Sequence, residues 1–584
     1  MSNLIDLNFK AVSDAEGAAH IEFLYECQDK EFQFELKNNS KEDIRIKEVI
    51  LGNMFFPSNA EFFGEGYNML SMYGGTLENP QSIGSYADAT HYRMPQVDNG
   101  FIVYNLIQVN QENGCTLAAF TTCNAFRGEF RIYADKIQVV LCLENYLLKA
   151  GNSLELEKLY IAKGDIIHNL YEEYTTIVEQ NHPKLNVKKS PTGWCSWYCY
   201  GPDITVDIMN ANISAIKEKM PELEYLLIDD GYQSHMGDWL TDSDKLGTSM
   251  KALCGEIINN GMKPAIWVAP FIADGDSDLF KNHPDWFVKD ENGLPLCSED
   301  VTFGGWRLNP WYMLDTSHPE AIEYLKTVFT TMKNEYGCNY FKLDANNWGA
   351  LPFGKRYKDC TAIEAYRMGM EAICEAVGED GFVLGCNAPL WPSLGLVHGM
   401  RVSTDISRNW GSIRQVAFEC FRRQYQNGKF WMNDPDCAVY DELHLKLFDP
   451  AGERNETNNM LLPEEKIFHL SAIASTAGVK FISDKICDWN NETLEKFKKL
   501  FSINTEQLSF VNNDYTVAYG YANNGKKVIM FFNPCDNSVV RSMPVTDDEY
   551  YRELWTDECM RCECRVSVTI PAHSAKIYLS DNLI

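Results

Sequence analysis

YFKLDANNWGA, residues 340–350, sets the first constraint on the fold. Tyr340, Phe341 and Leu343 make a short apolar run, read here as a buried strand. The same strand carries Lys342 and ends at Asp344. Charges are expensive to bury unless paired or used, so these two belong near an open strand end. The period of two in a strand puts Lys342 and Asp344 on one face.

The same texture recurs on either side of this stretch. GWCSW (193–197), YLLIDD (225–230), KPAIWVAP (263–270), FVLGCN (382–387), GMRVSTD (399–405), FWMNDPD (430–436) and VKFISD (479–484) are further short apolar runs with polar ends. Amphipathic stretches such as MNANISAIKEKM, PEAIEYLKTVFTTMKNEY and TAIEAYRMGMEAICEAV separate several of them. Alternation of this kind predicts an α/β protein with a central (β/α)8 TIM barrel, a doubly wound sheet being the alternative. The strand ends favour the barrel. They carry Trp197, Asp229, Asp230, Trp267, Asp344, Cys386, Asp405, Asp436 and Asp484. One such carboxylate is readily a helix cap, but barrels build their sites from the C-terminal ends of several strands.

Before the barrel, EFQFELKN (31–38) alternates cleanly, and IRIKEVILG, GFIVYNLIQV, CTLAAFTTC, GEFRIYA, IQVVLCLEN and SLELEKLYIA follow with turn-like gaps. Short strands at this spacing predict an N-terminal β-sandwich over 1–185. A helix over about 164–181 closes it, and the barrel then spans 186–503. DYTVAYGYANNGKKVIMFFN, with a hairpin-like NNG, and the alternating VSVTIPAHSAKIYLS predict a small antiparallel β-domain over 504–584.

The 584 residues carry 82 acidic against 52 basic side chains, a net charge of −30. That excess disfavours nucleic acid and anionic membrane as partners and suits a neutral ligand. No run reaches the length of a membrane span, and MSNLIDLNFKAVSDAEG lacks the basic-then-apolar order of a signal peptide. The 19 cysteines lie in predicted strands and helices without framework spacing, which suits reduced thiols and a cytoplasmic location. The N-x-T sequons at Asn455 and Asn491 are then chance matches.

Carboxylates converging on one mouth beside aromatic rings suit glycoside hydrolysis, which needs two carboxyl groups about an oxocarbenium-like transition state. None of the 13 tryptophans precedes Trp194. Some are core residues, and others can stack on the flat faces of sugar rings. HExxH, GxSxG, GxxxxGK[ST] and a post-strand GxGxxG are all absent. CMRCEC (559–564) holds three close cysteines, one short of a structural zinc set.

PTGWCSWY (191–198), IDDGYQ (228–233) with GDWL (237–240), IWVAPF (266–271), HPDW (283–286), YFKLD, LGCNAP (384–389), GMRVSTD and FWMNDPDC (430–437) together resemble glycoside hydrolase family 36, the α-galactosidases and relatives. The motifs come in the family's order, and the predicted flanking β-domains match too. The resemblance implies a retaining two-step displacement with no metal or organic cofactor. It implies Asp344 as nucleophile and Asp405 as acid/base. It implies Asp229 and Asp230 on the galactose hydroxyls, Trp267 stacked on the ring, Lys342 and Arg401 reaching hydroxyls, and Cys386 beside C2. Trp197 joins the expected substrate-binding set. The substrate implied is a small oligosaccharide, and relatives often form homo-oligomers. Retention also calls for the two carboxyl groups to stand about 5–6 Å apart.

Two departures mark this chain. The family often sends an N-terminal tryptophan into the site, and the counterpart here, GEGYNMLS (64–71), offers Tyr67. Asn387 stands where many relatives have glycine, next to the C2 position. The alternatives are therefore an α-N-acetylgalactosaminidase, a galactosyl transferase of the raffinose-synthase kind, or a catalytically inactive sugar-binding protein. Lys342 is expected to favour ionised Asp344, and Asp405 to hold its proton at a raised pKa unless Arg401 and Arg408 point at it. Asn346, Asn347 and Trp348 are expected near a leaving-group subsite.

Overall fold

A computed structural model describes residues 4–13, 20–134, 136–441, 461–545 and 549–581; the Asn455 sequon lies outside them. At its centre eight parallel strands run in the order Met432–Asp434, Gly399–Arg401, Phe382–Gly385, Tyr340–Leu343, Lys263–Val268, Tyr225–Ile228, Thr192–Cys195, Lys480–Ile482. Apart from the last strand returning beside the first, spatial order follows chain order, as a barrel requires. The two edges are joined by a parallel bridge from Ala438 to Ile482, with Ala438 N–H donating to the Phe481 carbonyl at 2.7 Å. Val479 N–H donates likewise to Asn433 O at 2.9 Å. The sheet is thus a nearly closed TIM-like barrel.

Helix-period patterns became helices for stated local reasons. The helix Ala362–Val377 opens on a capping box in which Thr361 and Glu364 bond each other's backbone N–H. It buries Ile363, Tyr366, Met370, Ile373 and Val377 along one stripe. Pro319 starts the preceding α-helix, Pro319–Asn334, where its missing N–H costs nothing. The strand-helix repeat breaks once. Between Phe382–Gly385 and Gly399–Arg401 the chain forms only a 3-10 turn, Trp391–Ser393. That connection instead packs against the N-terminal region, which takes the place a helix would fill.

The N-terminal region holds a five-stranded and a nine-stranded sheet, antiparallel throughout. Glu31–Asn38 shows the alternating burial its sequence predicts. GFIVYNLIQV divides at Asn105, whose φ of +60° breaks the strand. Phe101–Tyr104 joins one sheet and Leu106–Gln111 the other. Arg423 of the barrel and Glu65 of this region form an ion pair with both side chains fully buried. After the barrel, Val517–Ala522 and Lys527–Asn533 make the expected hairpin, with Gly525 at φ +78° in the turn. The alternating VSVTIPAHSAKIYLS forms two strands: Arg565–Ile570 pairs with Val539–Pro544, and Ser574–Asp581 with two other strands. Among the described residues no helix is long and apolar enough to cross a membrane. The 19 cysteines are free thiols.

Candidate active site

Lys342 and Asp344 do emerge at the barrel mouth, but the lysine's hydrogen bond goes elsewhere. Its Nζ donates to Asp229 Oδ2 at 2.9 Å across the barrel interior, with the two residues 7% and 2% exposed. Asp229 also accepts from the Cys195 thiol at 3.4 Å and from its neighbour's backbone, Asp230 N–H at 2.9 Å. Trp267 lies beside Lys342 in the parallel ladder, and its Nε1 donates to Asp344 Oδ2 at 3.1 Å. Ala345 N–H holds the other oxygen, Oδ1, at 2.7 Å. Each carboxylate oxygen of Asp344 thus has one fixed donor. Burial raises the Asp344 pKa above the ordinary carboxylate range; Lys342 pulls it down and nearby Asp405 pushes it up.

Asp230 is engaged by Arg307, which the sequence did not single out, and by Trp306 and Gln233, which lie among the barrel tryptophans and in the IDDGYQ motif. Arg307 grips both its oxygens, with Nε to Oδ2 at 2.6 Å and Nη2 to Oδ1. Trp306 Nε1 adds a contact at 3.3 Å and Gln233 Nε2 one at 2.7 Å. Trp306 is half-buried and packs edge-on against Trp267 at 6.2 Å. Arg307 and Trp306 sit in the aperiodic GGWRLNP stretch, 304–310, which carries no pattern to announce Arg307.

On the opposite side Arg401 collects the charges. Its Nη2 donates to Asp405 Oδ1 at 2.7 Å, to Asp436 Oδ2 at 2.5 Å and to the Thr404 carbonyl at 3.0 Å. Asp436 further accepts from Tyr198 Oη, Ile406 N–H and Cys437 N–H, and stands at φ +74°. Asp405 keeps 65% of its side-chain surface open, although protein crowds its flanks. Burial, the largest single influence, raises Asp405, but Arg401, Lys342 and the Tyr198 hydroxyl together leave its pKa lowered. The expected upward shift is therefore reversed in the free protein. Burial pushes Asp436 the other way, up to about 6, against Arg401 and with help from Asp405. Two carboxyl groups on one guanidinium nitrogen titrate as a unit. Arg408 takes no part: it bonds Asp441, Asp484 and the carbonyls of Tyr198 and Ser483.

Cys386 is buried beside this cluster, 3.8 Å from Arg401 Nη1, and burial pushes its thiol well up. Asn387 follows at φ +43°, its Oδ1 accepting from Tyr92 Oη and its backbone N–H facing Met69 Sδ at 3.2 Å. Tyr92 also senses the charge of Asp344. Tyr67 is placed differently from the expectation. It is wholly buried, its hydroxyl donating to Ala350 O at 2.8 Å, so it braces the loop behind the Asp344 strand and presents nothing to the cleft. Tyr92 is the N-terminal side chain nearer the carboxylates. Asn346, Asn347 and Trp348 are likewise fully buried in a 3-10 turn, which removes them from any open leaving-group subsite. Trp197 is half-buried just after the Thr192–Cys195 strand. Of the C-terminal cysteines, Cys562 is buried while Cys559 and Cys564 are exposed.

Set against known proteins, residues 158–379 match the family described as Melibiase, a stretch that includes Asp229, Asp230, Trp267, Lys342 and Asp344 and ends before Cys386. An α-galactosidase of Escherichia coli is 31% identical over 131 residues, 21% of this chain and 17% of that protein. The bifunctional α-galactosidase/sucrose kinase AgaSK of Mediterraneibacter gnavus is 25% identical over 269 residues, 42% of this chain and 27% of that one. The matched stretches thus cover well under half of either relative's length. The structure of TtGalA, an α-galactosidase from Thermus thermophilus in complex with p-nitrophenyl α-D-galactopyranoside, superposes with a TM-score of 0.63 at 21% identity. The superposition covers 85% of this chain and 97% of that one. That likeness is one of fold. The class these similarities describe is that of the glycoside hydrolases.

Proposed function

We propose that the protein is a retaining exo-α-galactosidase of glycoside hydrolase family 36, releasing terminal α-linked galactose from oligosaccharides. The observation that carries this reading is a pair of carboxyl groups, Asp344 directly after the strand Tyr340–Leu343 and Asp405 on the loop after the strand Gly399–Arg401. Asp405 is close enough to raise the proton affinity of Asp344. Asp344 attacks the anomeric carbon, and Asp405 protonates the departing oxygen. Asp405 then takes a proton from the water that releases galactose. Asp229, Asp230, Lys342 and Arg401 bind the hydroxyls. Trp267, almost fully buried, orients the attacking oxygen through its N–H, and half-buried Trp306 offers the better face for a sugar ring. Asn387, tied by Tyr92, fills space beside C2 and favours a hydroxyl over an acetamido group there.

Offering p-nitrophenyl α-galactoside and the corresponding N-acetylgalactosaminide side by side tests the substrate. Turnover of the galactoside is expected to dominate, and hydrolysis of the galactosaminide alone would overturn the assignment.

The titrating cluster fixes a pH profile. The attacking form needs Asp344 ionised and one proton on the Asp405–Asp436 unit. Raising pH strips that proton, so kcat/KM should decline above about 6, the value to which Asp436 is pushed. Lowering pH protonates Asp344, whose raised pKa brings that acid limb up with it. Asp436→Asn removes the carboxylate that supports the proton and frees Arg401 to hold Asp405 ionised. Its alkaline limb should therefore move to lower pH; an unmoved limb would exclude Asp436 from the titrating unit.

A further inference from the structure

Glu419 is a carboxylate with no part in the displacement chemistry, yet it is only 1% exposed. It lies near the end of the helix Trp410–Arg422, which follows the Asp405 loop. Four donors converge on it. Oε2 accepts from Thr404 N–H at 2.7 Å. Oε1 accepts from Ser85 N–H at 2.9 Å, Ser85 Oγ at 2.8 Å and Gln415 Nε2 at 2.9 Å. No cation bonds it among the described residues; Arg423 feels its charge but bonds Glu65 and backbone carbonyls. Gln415 in turn donates to Ile83 O at 3.0 Å. The carboxylate therefore joins two segments far apart in sequence, the N-terminal loop 83–85 and the residue directly before Asp405.

The Thr404 peptide is held at both ends. Glu419 takes its N–H, and Arg401 Nη2 binds its carbonyl at 3.0 Å, the same nitrogen that bonds Asp405. Asp405 itself is mostly exposed and has no helix or strand of its own. Its position thus depends on Arg401 at its carboxylate, on the Ile406 N–H held by Asp436 behind it, and on the Thr404 peptide that precedes it. A misplacement of about 1 Å in a catalytic group can cost roughly 100-fold in rate.

We propose that Glu419 is a positioning residue for the proton-transfer step: by holding the Thr404 N–H it keeps Asp405 at the glycosidic oxygen, and through Ser85 it makes the N-terminal β-region part of that positioning. This rests on Asp405 being the acid/base. In Glu419→Gln one acceptor oxygen becomes an NH2 group, so either Thr404 or the Ser85–Gln415 side loses its partner.

The test is kcat/KM for wild type, Glu419→Gln, Ser85→Ala and Asp405→Ala on two α-galactosides, one with a sugar leaving group and one with dinitrophenolate. A dinitrophenolate needs no proton to depart, whereas a sugar alkoxide does. Glu419→Gln is expected to lose about 100-fold on the sugar-linked substrate and within about threefold on the dinitrophenyl one, with Ser85→Ala smaller and in the same direction. Equal losses on both substrates, or none, in Glu419→Gln and Ser85→Ala would overturn the positioning role while leaving Asp405 as the acid. If Asp405→Ala itself lacks the leaving-group dependence, the acid/base reading fails, and this inference with it. Should Glu419→Gln not fold, Ser85→Ala, which deletes one neutral hydroxyl, decides the matter alone.

Discussion

Asp344→Asn is expected to lower kcat on aryl α-galactosides by about four to six orders of magnitude, with the thermal unfolding midpoint unchanged or raised. The activity falls because an amide cannot attack the anomeric carbon. Stability holds for a separate reason. Burial raises the Asp344 pKa, which means that the fold disfavours its ionised form. The isosteric amide removes that unfavourable charge. The two donors on its oxygens, Trp267 Nε1 and Ala345 N–H, come from rigid neighbours in the barrel wall, so the new NH2 leaves one of them without an acceptor and offsets that gain. Wild-type turnover in this variant would remove Asp344 from the mechanism. Azide added to Asp344→Gly gives a sharper readout. With the side chain gone, azide enters from the face Asp344 occupied, so the product should be the β-galactosyl azide.

Asp405→Ala should behave differently in both respects. On sugar-linked substrates kcat/KM is expected to fall by about 10²–10⁴-fold, the range a positioned general acid supplies. The loss should shrink as the leaving group becomes a weaker base. Here azide attacks the glycosyl-enzyme formed by intact Asp344, and the product should be the α-galactosyl azide. The two variants therefore give opposite anomers if the roles are as proposed. The same anomer from both, or no leaving-group dependence, would contradict the assignment of Asp405.

Much of the architecture was legible because its signals are local. The eight apolar runs became the eight barrel strands, and the alternation in Glu31–Asn38 became a half-buried strand. Period and polarity act over a few residues, so a single chain displays them. Asp344, Asp405, Asp229, Asp230, Lys342 and Arg401 were named through the resemblance of their motifs to glycoside hydrolase family 36, not from period or polarity. The pKa order was not legible. Whether burial or its neighbours decide the state of Asp405 depends on distances, and Arg401, Lys342 and Tyr198 together reverse the expected direction. Asp436 entered only as a strand-end residue, although it shares that guanidinium.

The residues that sequence reading missed lie where pattern is weakest. Arg307 sits in an aperiodic loop, and only folding brings it, with Trp306, onto Asp230. Tyr92 and Ser85 come from the N-terminal region and meet the barrel through pairings more than two hundred residues long. Tyr67 shows the converse: its chemistry suited a cleft, but the packing buried its hydroxyl against Ala350.

By itself, then, the sequence determined the strand-helix order, the carboxylate-rich strand ends and the chemistry those residue types can perform. These follow from periodicity and from the cost of burying charge, both readable along the chain. The tertiary structure alone decided which charges neutralise which. It spends Lys342 on Asp229, Arg307 on Asp230, and one Arg401 nitrogen on Asp405 and Asp436 together. Electrostatic interaction depends on distance and burial in three dimensions, and neither is a property of neighbouring letters.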